Sequence, residues 1–248
     1  MASLTPLLPA LEIAPVADTA GVLQVMNGIE QSLAPGGTVT DGVAWFNRLY
    51  RTVTEAVIAA VAAGQFQHPQ FVQTLDVEFA NLYFFALRAF AQDERSEQVP
   101  RAWWPVFAGH QRTDVLPIQF ALAGMNAHIN RDLPVALTRV WRSSKPGLST
   151  RDQQKLDYQR VNHVLASVEA DAKTWFLTGH WKTAEQALHG ADDLIANFSV
   201  VEAREAAWAQ GEALHELGGP EGTFGGAYLD ALDGVVGLAG RGLLHRTC

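Results

Sequence analysis

Between Gly124 and Pro134 the chain reads Gly-Met-Asn-Ala-His-Ile-Asn-Arg-Asp-Leu-Pro, two amides, an imidazole, a guanidinium and a carboxylate set into an apolar run. Polar groups in such a run are costly to bury unless each is hydrogen-bonded or serves a ligand. His128 has the unperturbed pKa nearest neutrality, which suits it to proton transfer. On a continuous helix Asp132 lies one turn beyond His128 and on the same face, while Asn126 and Asn130 pair in the same way on a roughly opposite face. Pro134 works against that continuity. It has no N–H for the carbonyl of Asn130, its ring crowds that carbonyl, and it steers Leu133 away from helical backbone angles. A kink or break is therefore expected near residues 130–133, and Asp132 is also a candidate N-cap for a helix starting at Leu133. Purely structural roles stand beside these: the asparagines satisfying backbone groups freed by the kink, and His128 as a hydrogen-bonded core residue.

A second stretch supplies possible partners. Leu75 to Phe90 is apolar on nearly every side of a helix, so its polar residues Asp76, Glu78 and Asn81 are candidates for a buried site. A buried carboxylate needs a partner or changes its protonation state, although acids also decorate the first turns of helices. Asp76 or Asp132 would orient His128 or hold a substrate cation. Asn126, Asn130, Arg131, Tyr158, Asn162 and Trp208 would line the substrate pocket with Glu78 and Asn81. Arg204 would bind a carboxylate or neutralise Asp76 or Glu78.

These groups must be held by helices. Residues 1–17 form a proline-punctuated arm, expected to be extended on the surface, and residues 18–248 form a single domain. Asp18 caps a helix ended by Pro35-Gly36-Gly37, and Asp41 caps a second that carries Phe46, Tyr50, Val53 and Val57 at helical spacing and ends at Gly64. Pro69 to Gln92 makes the third. Trp103, Trp104 and Phe107 form an aromatic knot, the reading of which is core or pocket lid. Asp114 caps the helix that runs into the central stretch, with Pro117 in its first turn. Ser149 or Thr150 caps a long helix to about Thr178; further helices span roughly 183–197, 199–217 and 227–246, the last of them rich in glycine. There is no strand alternation and no internal repeat, so the fold class is all-α: a bundle of about eight helices around a central buried pair, residues 69–92 and 115–129.

Composition sets further bounds. Hydrophobic residues make up 48% and charged residues 18% of 248 residues, enough for a large core. A formal net charge of −8, with no Lys/Arg cluster, argues against a nucleic-acid surface. The single cysteine, Cys248, permits neither an internal disulfide nor a cysteine zinc site. The first twenty residues do not read as a signal peptide, and no apolar run reaches membrane-spanning length, so a cytoplasmic protein is expected.

The segments Leu75–Val77, Phe79–Phe84 and Gln119–Pro134, with Asp157-Tyr158, Val161-Asn162, Ala203-Arg204 and Ala207-Trp208, resemble an uncharacterised, largely actinobacterial family with a domain of unknown function. The resemblance spans residues 42–217. It departs at Gln153 and Gln154, where the family pattern leads one to expect a histidine. Some members accompany secondary-metabolism genes, which the resemblance extends to small-molecule chemistry.

The function expected is acid–base chemistry on a fairly apolar small molecule between the central helices, with His128, Asp132 and Asp76 as the catalytic group and no metal or cofactor. There is no P-loop, dinucleotide fingerprint or nucleophile elbow. The alternatives are a non-catalytic binding or scaffold protein, a metal-dependent hydrolase and a terpene-cyclase-like enzyme. The hydrolase reading rests on the His128-x-x-x-Asp132 spacing, similar to zinc phospholipase C, and lacks the further histidine ligand. The cyclase reading rests on Asp192-Asp193 with Asn197, and on Asn197, Val201 and Glu205, and lacks carboxylates that a Mg²⁺ cluster needs.

Overall fold

The computed structural model describes residues 3–143, 149–178 and 199–245, with the side chains of 169–178 excepted. Asp192, Asp193, Asn197 and the helix expected over 183–197 lie outside the described residues. Helix α1 spans Thr19–Leu33, α2 Gly42–Ala62, α3 Pro69–Gln92, α4 Trp104–Gly109 and α5 Pro117–Ala127. A π-helical turn over His128–Asp132 leads directly into α6, Leu133–Ser143. Then follow α7, Arg151–Thr178, α8, Val200–Glu216, and α9, Thr223–Leu243. No strand occurs among the described residues.

Local chemistry starts most of these helices. Asp18 accepts from the Gly21 N–H at 2.8 Å, Asp41 from Val43 at 2.8 Å, and Ser199 from Glu202 at 3.2 Å. Thr150 and Gln153 close a reciprocal capping box at the start of α7, so Gln153 has a structural task of its own. Asp114 does not cap α5. The first turn there follows Leu116, whose N–H is taken by the Gln119 side chain at 2.9 Å, while Asp114 pairs with Arg112. Pro117 leads the helix because an N1 residue has no intrahelical N–H bond to lose.

The arm does not lie extended on the surface. Leu4, Leu7 and Leu11 are fully buried on two short helical turns, Thr5–Leu7 and Leu8–Leu11, and join the same core as Val22, Phe46, Tyr83 and Trp103. Their spacing puts all three leucines on one side, and burying that side outweighs the arm's prolines.

The continuous rod from α5 through the π turn to α6 is the axis of the fold. Helix α5 packs along α2 and α9, and α6 along α3 and α8. The two helices expected as the central pair, α3 and α5, therefore meet at the π turn rather than along their length. Close approach of α2 and α5 depends on two glycines: a Cβ on Gly42 would stand 2.4 Å from the Phe120 ring, and one on Gly124 would stand 2.3 Å from the Phe46 ring. In α9, a Cβ on Gly237 would fall 2.6 Å from the Arg101 carbonyl oxygen, so this glycine serves close packing. The buried apolar side chains form two large clusters, and Phe79 and Met125 pack against both. His128 sits at that junction.

Candidate functional site

The proline at 134 produces neither a break nor a cap. Leu133 keeps helical angles, φ −63° and ψ −41°, and its N–H reaches back five residues to the His128 carbonyl. Widening the helix by one residue gives the Pro134 ring room that a regular turn would deny it. Asp132 consequently points inward from mid-rod, fully buried, and is not an N-cap. It accepts from the Trp103 indole N–H at 2.8 Å and from Arg131 at 2.8 Å, and lies 3.3 Å from His128 Nδ1.

Burial pushes the Asp132 carboxyl upward, but His128 and Arg131 outweigh it and hold it below the usual carboxylate range. Burial lowers the His128 pKa, against the opposing pull of Asp132. The pair therefore rests as a carboxylate beside a neutral imidazole. A carboxylate only accepts, so Nδ1 carries the proton and Nε2 keeps its lone pair. Nε2 is out of solvent and has no hydrogen-bond partner among the described residues.

Aromatic rings fix the imidazole in place. Phe79 on α3 stacks on it at 3.4 Å between centroids and 7° between planes, and Tyr50 on α2 stands at 4.4 Å. Phe46, Trp103 and Tyr83 follow at 5.7, 5.9 and 6.2 Å. Several polar atoms on the same two helices share the condition of Nε2. The hydroxyls of Tyr50, Thr54 and Tyr83 and the Oδ2 of Asp76 are buried without a partner among the described residues. Tyr50 and Thr54 are one turn apart on α2; Asp76 and Tyr83 are two turns apart on α3 with Phe79 between them. Burial alone raises the Asp76 carboxyl to about 7. Burial first, then the charges of Asp76 and Asp132, raise the Tyr50 phenol. Native proteins leave few buried polar atoms unpaired, and a group of them on facing helices calls for a specific explanation.

The remaining expected site residues go elsewhere. Asn126 donates to the Val236 carbonyl at 3.0 Å and accepts from Asn130 at 3.1 Å, tying α5 to α9. Arg131 links Asp132 to the neighbourhood of Asp233, 3.6 Å from its Nε, and Asp233 itself accepts the N–H groups of Arg101 and Ala102. Asn81 makes a two-way amide bridge to Val16 in the arm, at 2.8 and 2.9 Å. Arg204 neither reaches nor neutralises Asp76 or Glu78. It donates to Asn162 at 2.8 Å and to the Tyr158 carbonyl at 2.7 Å, while the Tyr158 hydroxyl donates to the Arg204 carbonyl at 2.6 Å. Trp208 packs on Tyr158 and Trp141 and donates to Glu212. These residues join α7 to α8, and none shares a hydrogen bond or ring contact with His128. Glu78 is half-buried on α3 and likewise has no bond to the cluster. Sequence reasoning missed Tyr50, Phe79, Tyr83 and Trp103 as neighbours of His128. The usable signal was a tyrosine inside a helix apolar on every side, since a buried hydroxyl there requires a partner.

Among the described residues, no group of three or more His, Cys, Asp or Glu is placed to hold a metal ion. No helix of the described residues is long and apolar enough to cross a membrane. Fold and geometry define a single-domain, all-α protein with a buried His–Asp pair walled by aromatic rings. The chain belongs to a family of unknown function, DUF5995, whose model matches residues 19–246. No curated protein and no solved structure matches it.

Proposed function

We propose that the His128–Asp132 pair is an acid–base dyad acting on a small, fairly apolar molecule bound between α2, α3 and the π turn. The observation that carries this reading is His128 Nε2, a basic lone pair on a clamped imidazole, buried and without a partner among the described residues. Asp132 holds the Nδ1–H tautomer and favours the imidazolium that forms when Nε2 takes a proton. Trp103 and Arg131 keep Asp132 ionised and fixed in place. Tyr50, Tyr83 and a protonated Asp76 supply hydrogen-bond donors to a substrate oxygen, and the rings of Phe46 and Phe79 supply apolar contact.

The rival reading, a structural polar network that sets helix register, has support in the Asn126–Asn130–Val236 chain, where each group has its partner. That account fits the α9 side of the rod and leaves the α2–α3 side unexplained.

The test is a thermal-shift screen of the whole chain against small apolar molecules that carry one ionisable proton, run on wild type and His128→Phe. The variant keeps a ring to stack on Phe79 and loses both nitrogens. Compounds that stabilise wild type and not His128→Phe support the dyad. A variant that melts several degrees lower and a screen with no selective compound favour the scaffold.

A further inference from the structure

A second group of unpaired polar atoms lies at the far end of α6. The Trp141 indole N–H is out of solvent and has no acceptor among the described residues, and an indole N–H can only donate. His215 of α8 meets the Trp141 ring edge-on, 6.0 Å between centroids and 87° between planes, and its Nδ1 is also buried and has no partner among the described residues. Arg151, the first residue of α7, lies over the Trp141 ring with its guanidinium carbon 4.6 Å from the centroid. Arg142 lies across Gly219: a Cβ there would stand 2.7 Å from its Nη1. Gly219 takes a φ of 80°, and its N–H bonds to the Leu214 carbonyl, which keeps Arg142 beside the end of α8.

Charge points the same way. Arg131, Lys155 and Arg160 each sit within ion-pair distance of a carboxylate, whereas among the described residues neither Arg142 nor Arg151 has such a pair. Both arginines act on His215 and, together with its burial, lower its pKa; Glu216 is the acidic group that opposes them. Glu212 is occupied by the Trp208 indole at 3.0 Å.

We propose that Trp141, His215, Arg142 and Arg151 form a binding site for an oxyanion, a phosphate or carboxylate group of a small molecule. Two planar guanidinium groups and an indole N–H offer only donors, and an oxyanion offers several acceptors with the complementary charge. The site shares no residue with the His128 cluster and stands independently of the function proposed for it.

Inorganic phosphate and acetate are the probes, each titrated at constant ionic strength into the ¹⁵N-labelled full chain. The Trp141 indole peak is identified by its loss in Trp141→Phe. A saturable shift of that peak is expected, with affinity lowered about tenfold or more in Arg142→Gln/Arg151→Gln, because two charge-assisted contacts are removed. Unmoved peaks from the other tryptophans report an intact fold, and Arg151→Gln alone serves if the double variant loses it. Saturation by phosphate alone or acetate alone assigns the group. No saturable shift with either probe, or a shift indifferent to the arginine changes, overturns the proposal.

Discussion

Tyr83→Phe tests the premise on which the site rests. The Tyr83 hydroxyl is buried, the residue has no solvent exposure, and the oxygen has no partner. Its ring stands edge-on to Phe46 at 5.1 Å and tilted against Trp103 at 5.1 Å, contacts that phenylalanine keeps. The substitution therefore removes one oxygen and nothing else. An unpaired buried hydroxyl carries a desolvation cost of about 1–3 kcal/mol. Removing it is expected to raise stability by that order, and a chain of this size gains roughly 2–4 °C in Tm per kcal/mol. Calorimetry of wild type and variant at one pH reads the change directly. A rise of a few degrees means that the protein tolerates an unpaired hydroxyl that a ligand can use, as expected of sites where stability is given up for function. A fall of similar size would mean that the hydroxyl already bonds within the folded protein, and the reasoning that groups it with His128 Nε2 would fail.

Two further outcomes follow from the same physics. Asp76, raised to about 7 by burial, binds its proton more tightly folded than unfolded. Its contribution to stability is thus greatest below the unfolded value near 4 and declines as pH rises to about 7, by at most about 1.4 kcal/mol per pH unit; wild type minus Asp76→Asn should show this decline in a pH series of denaturant melts, and a difference that does not change with pH would refute it. Asp157 is fully buried and accepts the N–H groups of Gln67 and His68 at the start of α3, at 3.0 and 2.5 Å. Burial pushes its carboxyl up, yet these donors and Arg160 bring it below the usual range. Asp157→Ala should cost about 2 kcal/mol or more through the lost cap and stranded donors, without altering ligand response at His128; a Tm within a degree of wild type would contradict that.

What could be read from the chain and what could not divides along the range of the interactions. Asp18, Asp41 and Ser199 announce helix starts because a cap is settled within four residues, and so do the glycine stops. The pairing of His128 with Asp132 was legible for the same reason: four residues apart, both lie on one face. Pro134 was readable as a disturbance, but whether a helix breaks or widens depends on what packs around it. Here α2, α3, α8 and α9 hold the rod on all sides, and a π turn preserves the packing that a break would forfeit. Asp132 read as a cap because its true partner, the Trp103 indole, is 29 residues away. Arg204 read as a free cation because nothing local announces that the Tyr158 carbonyl and Asn162, more than 40 positions earlier, receive it. The buried arm was within reach: Leu4, Leu7 and Leu11 have helical spacing that its prolines obscured.

The state of the His128 ring itself tests the central claim most directly. Long-range ¹⁵N–¹H spectra of histidine-labelled protein, followed from about pH 8 downward, distinguish a protonated Nδ1 from a protonated Nε2 and report where the ring becomes cationic. The dyad requires the neutral Nδ1–H tautomer with a bare Nε2 at neutral pH, becoming an imidazolium only below the ordinary histidine range, since burial lowers its pKa more than Asp132 restores it. The assignment is confirmed if these signals vanish in His128→Phe. A ring that carries its proton on Nε2, or one already cationic at pH 7, would leave no base facing the α2–α3 side and would contradict the account.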